Sequence, residues 1–149
     1  MPTSTAPGTT ATITVPCPAC ARWNRIDAGR VAAGPRCGAC KAAIPLDRPL
    51  HLDDATFDRV LAGTTLPVLV DFYADWCAPC RSMAPAVDAL ARESVGTALI
   101  AKVDTEAAQQ TAARFRITGL PTVAVFRGGR EVRRQAGAVP IQALRQMLG

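Results

Sequence analysis

The six cysteines fall into three Cys-x-x-Cys pairs: Cys17/Cys20, Cys37/Cys40 and Cys77/Cys80. Two thiols at that spacing can do one of two things. They can exchange a disulfide with another molecule, or they can point two thiolates at one metal ion. The surroundings separate the two cases. Trp76-Cys77-Ala78-Pro79-Cys80 follows a buried-strand pattern and opens a helical one. A helix N-terminus carries partial positive charge and unpaired N–H groups, which stabilise a thiolate. Cys77 is therefore the expected nucleophile, with a depressed pKa. Cys80, one turn later on the same side, can attack a Cys77 mixed disulfide and release a reduced product. Pro79 lacks an N–H and suits the first turn of a helix.

The other four cysteines, Cys17-Pro18-Ala19-Cys20 and Cys37-Gly38-Ala39-Cys40, are separated by 16 residues. Two such turns at that distance are a zinc signal, and four thiolates satisfy the tetrahedral preference of zinc with no position left open. The expected site is structural. Iron in place of zinc, or two disulfides under oxidation, are the alternatives. Four thiolates with Zn2+ carry a formal −2, which Arg22, Arg25, Arg36 and Lys41 can screen.

The elements that position these groups follow from the pattern of the 149 residues, 49% of them hydrophobic and 19% charged. Residues 1–14 are Thr, Ala, Pro and Gly with little else and are expected to form a disordered lead-in. Residues 15–45 hold the four cysteines and little apolar mass, a module that needs a staple. Residues 46–50 read as a linker, and 51–149 as the main domain. There Leu50–Leu52 is a short strand. Asp53 caps a helix to Leu61, with Gly63 as its stop. Leu66–Phe72, an apolar run broken only by Asp71, is a buried strand. A helix carrying Met83, Val87, Leu90 and Ala91 on one face runs to about Val95, kinked at Pro85. Ala98–Val103 is a strand and 107–115 a helix. Thr122–Phe126 and Glu131–Gln135 form a hairpin around Gly128-Gly129. Ile141–Leu148 closes with a helix after Pro140. The order β-α-β-α-β-α-β-β-α predicts an α/β fold, a mixed sheet with helices on both faces, preceded by a small zinc-ribbon-like module.

The segment Val70-Asp71-Phe72-Tyr73-Ala74-Asp75-Trp76-Cys77-Ala78-Pro79-Cys80 resembles the active-site segment of the thioredoxin family. The likeness extends through Ala101-Lys102-Val103-Asp104, Gly119-Leu120-Pro121-Thr122 and Gly137-Ala138, and so covers residues 50–149. It implies that Asp71 is a buried carboxylate beneath the redox pair that accepts a proton from Cys80, with Lys102 as its charged neighbour. It implies that Pro121 is a cis-proline exposing the Leu120 backbone to an extended substrate. Trp76, Ala78, Pro79, Gly119, Leu120, Gly137 and Ala138 would complete a shallow substrate groove. Three positions depart from the usual pattern: Ala78 for glycine, Tyr73 for tryptophan and Arg81 for lysine. With Asn24-Arg25-Ile26 after the first cysteine pair, the N-terminal module resembles that of the second bacterial thioredoxin type. The family implies a protein-disulfide reductase serving cell redox homeostasis and oxidative-stress defence. Its electrons would come from NADPH through a thioredoxin reductase, its substrates would be disulfide-containing proteins, and it would work as a monomer with no organic cofactor.

Charge and hydropathy bound the rest. Of the net +5, four charges arise in residues 1–50, where Arg22, Arg25, Arg30, Arg36, Lys41 and Arg48 face Asp27 and Asp47. A basic module can bind nucleic acid, but Trp23 is its only aromatic and no basic cluster is interleaved with aromatics, so no nucleic-acid partner is expected. No window approaches 18 apolar residues and residues 1–15 lack the shape of a secretory signal, so the expected location is cytoplasmic, with no membrane association. That, and Pro79, weigh against an oxidant or isomerase. His51, the single histidine, is expected as a surface strand residue without a catalytic partner.

Overall fold

A computed structural model describes residues 11–149. The N-terminal module is a two-stranded antiparallel sheet, β1 (Thr12–Pro16) and β2 (Trp23–Asp27), in register from Thr12 opposite Asp27 to Pro16 opposite Trp23. A 3-10 segment, Ala28–Ala33, follows. Asp27 caps it, its carboxylate accepting from the Gly29 N–H at 2.8 Å. The strand at Thr12 corrects the expectation of disorder through residue 14. Thr-Ile-Thr-Val alternates, placing Ile13 and Val15 inward, but five residues signal little until their partner strand is known. The rest of the expected lead-in, residues 1–10, lies outside the described residues.

The main domain runs β3 (Leu50–Leu52), α1 (Phe57–Ala62), β4 (Val68–Tyr73), α2 (Ala78–Glu93), β5 (Leu99–Asp104), α3 (Gln109–Arg114), β6 (Thr122–Arg127), β7 (Arg130–Ala136) and α4 (Ile141–Leu148). This is the order read from the sequence. Leu50 belongs to β3, which shortens the expected linker by one residue. The strands lie in the order β3-β5-β4-β6-β7, the first three parallel and the last two antiparallel. Central β4 is buried on both faces, hence an apolar run that only Asp71 interrupts. The β6–β7 turn has Gly128 and Gly129 at φ 59° and 79°, the left-handed conformation that a two-residue hairpin turn requires.

Two boundaries differ from expectation. Asp53 does not cap a helix that starts beside it. Its carboxylate accepts from the N–H groups of Ala55 and Thr56 and from the Thr56 hydroxyl, making a turn of its own, and α1 begins at Phe57. The helix with Pro85 inside it continues to Glu93.

Apolar side chains separate the layers. On one face α2 and α4 bury Met83, Val87, Leu90 and Leu144 against Leu69, Ile100, Val123 and Val125. On the other, Phe57, Phe72, Phe115 and Phe126 stack with ring centroids 5.3 to 6.5 Å apart. The N-terminal module does not stand alone. Its Ile13, Val15, Ile26, Val31 and Ile44 are buried in the cluster that holds Phe57, Val60 and Leu61. Each such side chain contributes roughly 1.5–3 kcal/mol relative to exposure, so the module draws its core from α1. The join is close. The Thr14 hydroxyl donates to the Gly63 carbonyl at 3.3 Å. The Arg59 guanidinium lies 4.2 Å from the centre of the Trp23 ring. No helix among the described residues is long and apolar enough to cross a membrane.

Candidate functional site

The redox pair sits where β4 gives way to α2. Cys77 is the N-cap of α2, in extended conformation, and its sulfur accepts from the Cys80 N–H at 3.2 Å. The helix end thus delivers an N–H to the Cys77 sulfur, an arrangement that stabilises a thiolate. Cys77 and Cys80 form a disulfide, with Cα atoms 5.3 Å apart, and both are buried. Pro79 falls in the first turn, where its missing N–H costs no hydrogen bond. The Arg81 guanidinium folds back onto the Asp75 carbonyl at 2.6 Å and ties down the loop that presents Trp76.

Around the pair, Tyr73, Ala74 and Leu120 pack against the two cysteines. The Leu120–Pro121 peptide is cis. The Pro121 carbonyl accepts from the Gly137 N–H at 2.8 Å, and the Thr122 hydroxyl donates to the Gly119 carbonyl at 2.6 Å. These bonds hold the 119–122 and 137–138 loops together. Trp76 is 67% exposed, the largest such apolar side chain among the described residues. Ala78, Pro79, Gly119, Gly137 and Ala138 are exposed, while Leu120 is half-buried.

Asp71 lies on β4, on the face that α2 covers. It is 0% exposed, and neither carboxylate oxygen has a hydrogen-bond partner among the described residues. Burial pushes its carboxyl up to about 6, and the charge of Lys102 pulls the other way. Lys102 is the register neighbour of Asp71 on β5, half-buried, with its ammonium 4.5 Å from the centre of the Tyr73 ring. His51 is exposed on β3, and its register neighbour is also Lys102. Sequence reading gave His51 no partner. The neighbour is set by a parallel pairing across some fifty residues of chain, which local pattern does not encode.

The four N-terminal cysteines converge. Their sulfurs lie within 4.8 Å of one another. Cys17 and Cys40 are 3.6 Å apart, as are Cys20 and Cys37. A tetrahedral zinc with Zn–S bonds of about 2.3 Å places its sulfurs about 3.8 Å apart, so the set fits that ion. Both turns share one design. The Cys17 N–H donates to Arg22 and the Ala21 N–H to the Cys17 carbonyl; the Cys37 N–H donates to Ala42 and the Lys41 N–H to the Cys37 carbonyl. Ala21 and Lys41 close the turns at φ 66° and 67°. Asn24 joins the two turns, its amide donating to the Arg22 carbonyl and accepting from the Gly38 N–H. The Cys37 thiol is drawn down to about 6 by the Cys40 N–H, the Asn24 amide and the Ala39 N–H. Lys41 and Arg36 spend their charges on the turn itself, donating to the carbonyls of Gly38 and Lys41.

Comparison with known proteins gives a consistent picture. Residues 48–149 match the family described as Thioredoxin, and residues 16–42 the one described as Thioredoxin 2, N-terminal. The chain is 35% identical over 133 residues to Thioredoxin C-3 of Corynebacterium nephridii, covering 89% of this chain and 90% of that protein. It is 43% identical over 91 residues to Thioredoxin 1 of Chlorobaculum tepidum, covering 61% of this chain and 90% of that one. Among solved structures it is similar to a mutant thioredoxin from Halobacterium salinarum, with a TM-score of 0.64 and 34% identity over 69% of this chain and 89% of the other.

Proposed function

The chain belongs to the thioredoxin family and works by thiol–disulfide exchange at Cys77 and Cys80; we propose that it is a general protein-disulfide reductase whose N-terminal ribbon holds one structural zinc ion. The observation that carries this reading is a disulfide-forming cysteine pair at the N-terminus of a helix, directly after a central strand that carries a buried, unpartnered carboxylate.

In the reduced protein the Cys77 thiolate attacks one sulfur of a substrate disulfide. That S–S bond breaks, the departing sulfur leaves as a thiolate, and Cys77 is joined to the substrate. Cys80 gives its proton to Asp71 and attacks the Cys77 sulfur. The second substrate thiolate leaves, and both are protonated from solvent. Two electrons have passed from the dithiol to the substrate, and the protein holds the Cys77–Cys80 disulfide. Asp71 suits its part because its carboxyl, raised to about 6, can take a thiol proton and return it near neutral pH. Lys102 keeps the carboxylate form accessible. The cis peptide at Pro121 turns the Leu120 backbone toward the pair for strand-like pairing with the substrate, and Trp76, Ala78, Pro79, Gly119, Gly137 and Ala138 frame the groove. Thioredoxin reductase, drawing on NADPH, restores the dithiol. The protein acts as a cytoplasmic monomer on disulfide-containing proteins.

Zinc bound by Cys17, Cys20, Cys37 and Cys40 would crosslink the two ribbon turns. The ribbon shares its core with α1 and the redox pair packs in a separate cluster, which supports a structural rather than catalytic role. The test is NADPH-coupled reduction of insulin disulfides with a bacterial thioredoxin reductase. Wild-type turnover, its loss in Cys77→Ser and its survival in a Cys17→Ser/Cys20→Ser pair is the expected result. An inactive wild-type protein overturns the reductase reading, and an inactive ribbon variant that still folds overturns the division of roles.

A further inference from the structure

The N-terminal ribbon carries cations that no carboxylate answers. Residues 15–45 hold Arg22, Arg25, Arg30, Arg36 and Lys41 against a single acidic side chain, Asp27. The ion pairs among the described residues, Arg48–Asp47, Arg114–Asp58, Arg134–Glu131 and Arg145–Glu93, all lie outside that span. The surplus is +4, and a four-thiolate zinc centre of formal charge −2 offsets half of it.

Three of these cations meet in one place. Arg25 on β2, Arg30 on the 3-10 segment and Arg36 line a cleft of about 540 Å³, together with Asp27, Gly34 and Pro35. All three arginines are exposed. Arg36 gives one nitrogen to the Lys41 carbonyl, and the Asp27 carboxylate already accepts from the Gly29 N–H. One wall of the cleft is a strand edge without a partner, because β2 pairs with β1 alone. The Cys17 N–H donates to the Arg22 carbonyl and the Ala28 N–H to the Ala11 carbonyl. In that register the backbone groups of Asn24 and Ile26 point toward β1, and those of Arg25 and Asp27 point away from it, along the cleft.

We infer that this cleft is a docking site for an extended acidic segment of a partner protein, which adds to β2 as a third strand and lays its carboxylates against Arg25, Arg30 and Arg36. Backbone pairing with an open edge supplies affinity, and every second side chain of the added strand supplies specificity. The guanidinium fork matches a carboxylate in shape as well as charge. A nucleic-acid strand has no peptide ladder with which to complete the β2 edge. Nor do bases find a ring to stack on: Trp23, the ribbon's one aromatic residue, is half-buried, with the Arg59 guanidinium 4.2 Å from its centre. Docking on β2 needs no redox step, so the reductase reading stands or falls separately.

The experiment follows the anisotropy of a labelled eight-residue peptide alternating Glu and Thr, added to the full-length, zinc-loaded protein at low ionic strength. A Lys/Thr peptide and a ten-nucleotide oligothymidylate are the comparison probes. The Glu/Thr peptide should bind, more weakly as salt is added, and the Lys/Thr peptide should not. Arg25→Gln/Arg30→Gln should weaken binding by about tenfold. Arg116→Gln/Arg130→Gln, which removes the same charge from the main domain, should change it by less than about twofold. In the wild-type protein, saturating peptide should slow hydrogen exchange at the Arg25 and Asp27 amides, a readout that needs no variant to fold. No binding of the Glu/Thr peptide overturns the inference. So does an equal loss in the two variant pairs, which would make net charge alone responsible. Unprotected Arg25 and Asp27 amides overturn strand addition, and an oligothymidylate that displaces the peptide makes the cleft a nucleic-acid site instead.

Discussion

Replacing Asp71 by asparagine should make the oxidised protein more stable, and by an amount that grows with pH. The carboxyl is 0% exposed, without a hydrogen-bond partner among the described residues, and raised from 3.8 to about 6, chiefly by burial. Between those two values the folded state holds a proton that the unfolded state has lost, so stability falls as pH rises through this window. Below pH 4 both states are protonated and the penalty is absent. Above pH 6 it is complete, about 3 kcal/mol. Asparagine has nearly the same shape and leaves the same polar group buried, but it never ionises. The variant should therefore exceed wild type by about 3 kcal/mol at pH 8 and by about half of that at pH 5. Urea unfolding of both proteins in the disulfide form, at matched pH values between 5 and 8.5, measures the difference, and effects common to both, the ribbon included, cancel. A variant no more stable than wild type at pH 8 would refute the burial argument. A gain equal at pH 5 and pH 8 would assign it to packing rather than ionisation.

Other perturbations test the rest of the structure. At Gly63 an added Cβ would lie 2.7 Å from the Thr14 Cβ and 2.9 Å from the Arg59 carbonyl; Gly63→Ala should weaken the join between ribbon and α1 by about 1–3 kcal/mol, seen as faster amide exchange in β1 with insulin reduction retained. Asp54 caps α3 from a distance, its carboxylate accepting from the Thr111 hydroxyl and N–H and from the Gln110 N–H. Those bonds hold its pKa below the usual range, so the cap stabilises above the ordinary aspartate pKa and is lost as pH falls through the lowered one. Asp54→Ala should lower Tm at pH 7, and the difference from wild type should shrink in acid. Chelation, or Cys37→Ser, should reduce bound zinc from one ion per chain to none by elemental analysis and expose the ribbon to protease, while the Cys77–Cys80 pair stays reducible by thioredoxin reductase.

The chemistry of this protein was legible because it is local. A Cys-x-x-Cys turn is short enough that its two sulfurs must converge, and a cysteine at the junction of an apolar run and a helical pattern must cap that helix. The buried strands announced themselves for the same reason. Val68–Phe72 is apolar on both faces because helices cover both, so the run is continuous and Asp71 stands out within it. Where several signals compete over a few residues, sequence reading slipped. The Asp53 carboxylate satisfied the nearby N–H groups in a turn of its own, and β1 could not be seen at Thr12 without its partner at Trp23–Asp27.

What the tertiary structure decided depends on strand register and on which face meets which. The sequence showed an aspartate, a lysine and a histidine far apart in the chain. Only the parallel pairing of β4, β5 and β3 sets Asp71, Lys102 and His51 side by side. It showed a ribbon too poor in apolar residues to stand alone. Only the packed fold reveals that Ile13, Val15 and Ile44 complete their core on α1, with Gly63 leaving room for Thr14. Spacing along the chain fixes which atoms can react, because covalent geometry reaches only a few residues. Burial, which sets how readily Asp71 gives up its proton, is a property of every element packed around it, and no single segment of the sequence contains it.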